Sequence, residues 1–222
     1  MVMESKSEMQ FERIVFFSDA VFAIAITLLV IEIKVPHLEL GAPDSGFLSS
    51  VIKLIPKFVG FFLSFFLVGA YWVGHHRIFG FIDRWNYGLI WRNIFFLMAI
   101  AFVPFSTAFF SEYSTRFVPL AVYAISFSLA GALEIFMWRY AIKSDLLRPD
   151  ADQRDVEHLT WRMSVLPAIG IVAILIGLIN PIFSGFAFLL ISVAHWIIRK
   201  RFAKEARSAG HEVENDGLAA KH

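Results

Sequence analysis

The sequence predicts an all-α integral membrane protein with six transmembrane helices per subunit, and three observations point there. Apolar residues make up 58% of the 222 residues, 25 of them Phe, against about 45–50% in ordinary soluble domains. These residues gather in six runs, 14–35, 52–76, 89–111, 117–138, 163–180 and 182–198, most of them near the ~20 residues that a hydrocarbon core of about 30 Å demands. Basic residues fall on one side of the resulting zigzag. With the N-terminus inside, sixteen of the 20 Lys and Arg lie at cytoplasmic ends, leaving Lys34, Lys53, Lys57 and Arg116 outside. Retention of Lys and Arg in the cytoplasm sets topology, so both termini are expected inside and the chain in the plasma membrane.

Residues 1–12 are polar and of mixed charge, a cytoplasmic N-terminal segment. The first apolar run ends in Ile31-Glu32-Ile33-Lys34 rather than at a small-residue cleavage site, so it is expected to remain as a helix. The second run closes with "YWVGHHRIF" (Tyr71–Phe79), and the third holds "RNIFFLMAIAFVPFSTAF" from Arg92. A polar connection, "IKSDLLRPDADQRDVEHLT" (Ile142–Thr160), follows the fourth and reads as a solvated loop. Asn180-Pro181 makes a tight turn between the fifth and sixth. Residues 13–201 thus form one six-helix domain. Residues 202–222 carry too little apolar surface to fold alone and are expected to be a disordered cytoplasmic tail.

The first helix separates two tasks by face. At about 100° per residue, Leu28 and Ile31 fall within roughly 40° of Ile24, making one aliphatic stripe that Arg13, Phe17 and Val35 extend, while Asp19 lies more than a third of a turn away. Asp19 and Arg13 are also too far apart in sequence for an i,i+4 ion pair. A carboxylate near hydrocarbon needs partners, and Trp72, His75, His76, Arg77, Trp91, Arg92 and Asn93 are donors expected at its depth. Ser18 and Asp19 therefore serve either as a plain helix cap or in a buried polar network pinning the first helix to the second and third. Ala20, Ala23 and Thr27 are small enough to let another helix approach. Thr27 either bonds back to the Ala23 carbonyl or offers its hydroxyl to a neighbour or a passing ion.

Other chemistries find little support. The chain has no Cys, which excludes thiol chemistry. His75 and His76 are adjacent, about 100° apart on a helix, and cannot chelate a metal as an i,i+4 pair would. Neither a HExxH motif nor a phosphate-cradling glycine loop occurs, and Glu134 and His195 read as interfacial groups, paired with Arg139 or Arg199 or solvated. An enzyme is not expected, nor any cofactor, metal or nucleic-acid partner. A Thr-Val-Gly-Tyr-Gly filter is also missing, so selectivity in a pore would have to come from a hydrophobic ring. The rival reading is a proton-coupled secondary transporter using Asp19 with His75 or His76.

The run "R-x-x-x-F-S-D" at Arg13, Phe17, Ser18 and Asp19, followed by "AVFAIAITLLVIEIKVP", closely resembles the first helix of the transmembrane protein 175 potassium channels in their prokaryotic branch. The stretches beginning at Tyr71 and Arg92 resemble that family's second and third helices. The resemblance implies a homotetramer with the first helices around a central pore and potassium as the permeant ion. It implies a constriction carried by Ile24, Leu28 and Ile31, with Ile24 governing selectivity and Thr27 forming a polar layer beside it. Arg13, Ser18 and Asp19 would bond with Trp72, His75 and Asn93. Ala20 stands where many members have glycine and Ile31 where leucine is common, so the chain departs from the pattern at those two positions.

Overall fold

A computed structural model describes residues 2–39, 41, 43–184, 187, 190, 194, 196–198 and 200. The described chain is helical: α1 (Val2–Ile31), α2 (Asp44–Lys53), α3 (Ile55–Phe81), α4 (Tyr87–Glu112), α5 (Phe117–Lys143), α6 (Gln153–Ile179) and the single turn α7 (Pro181–Ser184). Five of these, α1, α3, α4, α5 and α6, are long and apolar enough to cross a membrane. The expected sixth crossing, 182–198, and the tail, 202–222, lie largely or wholly outside the described residues.

Helix ends differ from the apolar runs for a consistent reason. Hydropathy marks where hydrocarbon stops, whereas a helix continues through charged residues of good helical propensity until a cap or breaker ends it. So α1 runs back through the polar segment to Val2, and α6 begins at Gln153, ten residues before the fifth apolar run. Its start is set by Asp152, whose side chain accepts from the Arg154 N–H at 2.8 Å. The connection read as the loop 142–160 is thereby reduced to 144–152. Helix α2 was not foreseen; Pro56 in the first turn of α3 marks the break that separates the two.

The shortened connection is structured. Asp145 adopts φ 53° just after α5, the left-handed position that ends many helices, and the Leu146 N–H returns to the Ala141 carbonyl at 3.1 Å. Leu147 then pairs with Ile82 in an isolated antiparallel bridge, with Asp83 N–H donating to Leu146 O at 3.0 Å and Arg148 N–H to Phe81 O at 2.9 Å. Ile82 and Leu146 are buried there with Ile78, Met137 and Trp138. This ties the α3–α4 turn to the α5–α6 turn at one end of the bundle.

Helix α5 packs along α4 and α6, and α1 lies along α4 and α3. The main core joins Phe22, Ala25 and Leu29 of α1 to Val68 and Tyr71 of α3, Phe96 and Ile100 of α4, and Tyr123 and Phe127 of α5. Close packing of α5 on α6 needs glycine: a Cβ at Gly170 would lie 3.0 Å from the Ala124 backbone carbonyl and collide with Ser128.

Candidate functional site: the two faces of the first helix

Helix α1 presents one face inward and leaves the other bare. Ser18, Phe22, Ala25 and Leu29 recur at i, i+4, i+7 and i+11 and are all buried. On the opposite side Ile24 is 59% exposed, Leu28 40% and Ile31 65%, while Ala20, Ala23 and Thr27 are exposed beside them. The Thr27 hydroxyl donates to the Ala23 and Ile24 carbonyls, both at 2.9 Å. It is thus occupied as a donor by its own helix within the subunit, which leaves its acceptor capacity unused.

The polar groups of three helices meet behind that face. The Ser18 hydroxyl donates to the Ile14 carbonyl at 2.9 Å and accepts from Asn93 Nδ2 at 2.8 Å. Asn93 Oδ1 lies 3.0 Å from His75 Nε2; an amide oxygen only accepts, so the Nε2–H of His75 donates. Ser18, His75 and Asn93 are each at most 1% exposed, so this chain α1–α4–α3 is desolvated throughout. Aromatic rings enclose it. The His75 ring stacks on Phe79 at 4.4 Å and on Phe96 at 5.7 Å, and Phe22 tilts against it at 5.6 Å.

A second link is wetter. Trp72 Nε1–H donates to Asp19 Oδ1 at 2.8 Å, with Trp72 40% exposed and stacked on His76 at 5.7 Å. Ser18 and Asp19 sit well inside a helix that starts at Val2, so they do not cap it. Arg13 stands apart. It is exposed and lines a cleft with Phe17, Trp85, Tyr87 and Asn93, but it joins none of these hydrogen bonds. Five of the six residues expected to interact are therefore brought together, in two branches rather than one.

Some polar groups were not anticipated. Thr107 Oγ1 donates to Ser64 Oγ at 2.8 Å, and Ser64 Oγ is 3.1 Å from the Tyr123 hydroxyl, binding α3, α4 and α5 in the other half of the bundle. Lone hydroxyls inside otherwise apolar runs, such as Ser64 in "FFLSFFL", were the available signal. Glu134, expected at the interface with Arg139, is instead 2% exposed and lies against Gly74 of α3. No group of three or more metal-ligating side chains occurs among the described residues.

These features define a polytopic helical membrane protein whose first helix is bonded from behind and bare in front. Residues 13–104 match the family model described as the endosomal/lysosomal potassium channel TMEM175. A relative from Chamaesiphon minutus, named as a potassium channel, is 36% identical over 194 residues, covering 85% of this chain and 95% of its own. The solved structure of a TMEM175 homolog from the same organism, described as a lysosomal potassium-selective channel, superposes with a TM-score of 0.73 at 33% identity, covering 85% of this chain and 98% of that one. The Homo sapiens relative, named as an endosomal/lysosomal proton channel, is 26% identical over 156 residues, 70% of this chain but 30% of its own. The chain belongs to the TMEM175 channel family, and it is not an enzyme.

Proposed function

We propose that this chain is a potassium channel, conducting passively and with weak to moderate selectivity through a pore lined by the first helices of a homotetramer. The observation that carries the reading is the bare aliphatic stripe of α1, Ile24, Leu28 and Ile31, standing opposite a face held by buried hydrogen bonds. Relatives named as potassium channels support the choice of ion.

In such a tetramer the stripes face one axis. Each level presents four aliphatic side chains that exclude water and ions when the ring is tight and admit a partly dehydrated ion when it widens. Potassium loses water more readily than sodium, so a ring with no ligands of its own favours it modestly. Ile24 is assigned the selecting level, with Thr27 supplying a polar layer beside it. Arg13, Ser18, Asp19, Trp72, His75 and Asn93 are assigned the support that orients α1, Arg13 acting from the open side. Potassium is in transit only. The surrounding bilayer is the plasma membrane, with both termini cytoplasmic, residues 1–12 and 202–222 flanking the channel domain 13–201. The transporter reading is not favoured: Asp19 is bonded by Trp72 and His75 by Asn93, so carboxylate and imidazole are not joined.

Purified protein in liposomes tests this. Flux under a potassium gradient should exceed flux under an equal sodium gradient, and Ile24→Asn should raise sodium flux toward the potassium level. Equal selectivity in the variant would remove Ile24 from its assigned role; flux that appears only with a proton gradient would sink the channel reading.

A further inference from the structure

Glu134 lies outside the network behind α1. It is 2% exposed on α5, and its Oε1 has no hydrogen-bond partner among the described residues. A Cβ on Gly74 would lie 2.7 Å from that oxygen, so glycine at this position is what lets the carboxyl reach the α3 backbone. Leaving a carboxyl oxygen unpartnered at membrane depth is costly, and ionisable side chains there mark sites of function more often than of packing.

The carboxyl lines a cavity of about 270 Å³ bounded by α3, α5 and α6. Arg77 and Arg162 form one part of its wall, and both act electrostatically on His158, as does Asp155. These four groups thus share one corner, and among them the two arginines outnumber the one carboxylate. Ala70, Val73, Met163 and Leu166 supply the apolar wall. Ala70 is seven residues from Arg77, about 10 Å along α3 toward the middle of the bundle. The cavity therefore runs from a basic corner, near the end that carries the α3–α4 and α5–α6 turns, past a carboxyl and into apolar surroundings. That succession matches one leaflet of a bilayer: phosphate, ester, hydrocarbon.

We propose that this cavity is a binding site for one phospholipid of net negative charge, drawn from the leaflet on that side. Arg77 and Arg162 hold its phosphate, the Glu134 carboxyl O–H donates to an ester carbonyl, and the start of an acyl chain lies along Val73, Ala70, Met163 and Leu166. Basic pockets between membrane helices recognise anionic headgroups in this way. The occupant is placed so that it bridges α3 to α6, two helices that pack on each other only slightly, and its binding is read without any measurement of ion flux.

Native mass spectrometry of the detergent-purified full-length protein tests this, with phosphatidylglycerol and phosphatidylcholine of the same chains as probes and inorganic phosphate as competitor. The wild type should retain phosphatidylglycerol over phosphatidylcholine, by about fivefold for each arginine engaged. Arg77→Ala with Arg162→Ala should bring the ratio near unity, while lysine at both positions should keep most of it. Glu134→Gln, which retains a donor, should bind normally; Glu134→Leu should weaken both lipids several-fold. Equal retention of the two lipids by the wild type would overturn the proposal, and that comparison needs no variant to fold. Displacement of phosphatidylglycerol by millimolar phosphate would replace the lipid with a free anion, and dissociation of the oligomer in the arginine variant would make the cavity a contact between copies; either outcome overturns it.

Discussion

Asn93 shows how much one side chain contributes when the solvent cannot help. Its amide nitrogen donates to Ser18 and its amide oxygen accepts from His75, so it joins the first helix to the third through the fourth. Asn93→Ala leaves the His75 Nε2–H buried without its acceptor and removes the donor to Ser18, whose hydroxyl keeps only its bond to the Ile14 carbonyl. Each unsatisfied group costs about 1–3 kcal/mol in water-soluble cores, less between membrane helices, where single bonds average roughly 0.6 kcal/mol. We expect a loss of about 1–3 kcal/mol in all, read as a lower thermal midpoint in detergent. The bond from Trp72 to Asp19 is half open to solvent, so Trp72→Phe should cost under about 1 kcal/mol. The contrast between the two variants measures burial, since they remove bonds from adjacent residues of α1, Ser18 and Asp19. Equal losses would contradict the division into a dry and a wet branch.

At the scale of elements, glycines tell close packing from spare space. Helices α5 and α6 approach until a Cβ on Gly170 would press on the Ala124 carbonyl, whereas a Cβ on Gly80 of α3 meets nothing within 4 Å in the subunit. Gly170→Ala is therefore expected to destabilise by about 1–3 kcal/mol through overpacking. Gly80→Ala should be neutral or stabilising by up to about 1 kcal/mol, because alanine is the better helix former. Thermal unfolding of the two variants side by side checks this, and a destabilised Gly80→Ala would point to a contact from another subunit at that position. Asp145 is a third case. Its positive φ is easier for glycine, and its ion pair with Arg84 is long, 3.4 Å, and exposed. Asp145→Gly should consequently raise stability by up to about 1 kcal/mol.

For the whole molecule, the unpaired stripe on α1 is the dominant fact. Large aliphatic side chains at 40–65% exposure on one face are ordinary beside lipid, and equally suited to a symmetry axis. Small residues alongside them, Ala20 and Ala23, permit the close approach that an axis requires. The proposed homotetramer predicts four chains of 25.3 kDa in one particle by light scattering with the detergent subtracted. A cross-link between Cys substituted at Leu28 in neighbouring subunits would place the stripes together. A monomer, or cross-linking only from exposed positions of α4 such as Met98, would contradict the proposed pore.

Membrane insertion, the helical class and the opposition of two faces on α1 were legible in the sequence, because each follows from local quantities: hydropathy, its length along the chain, and a fixed angle per residue. The family resemblance rested on the same first helix, from Arg13 to Pro36. Helix ends were less legible. The extension of α1 to Val2 and of α6 to Gln153 depends on capping and propensity beyond the hydrocarbon, to which an apolar count is blind. Partner choice was legible in kind but not in detail. Donors near Asp19 were apparent, yet only the packing of α1 against α3 and α4 decided that Trp72 takes Asp19, that Asn93 takes Ser18, and that Arg13 takes neither. Glu134 marks the limit. In the sequence it is one acid five residues from Arg139, and what buried it was the absence of a side chain at Gly74, sixty residues away and on another helix. Contacts between helices depend on shape and relative rotation, which the order of residues along one helix does not contain; the tertiary structure decided them.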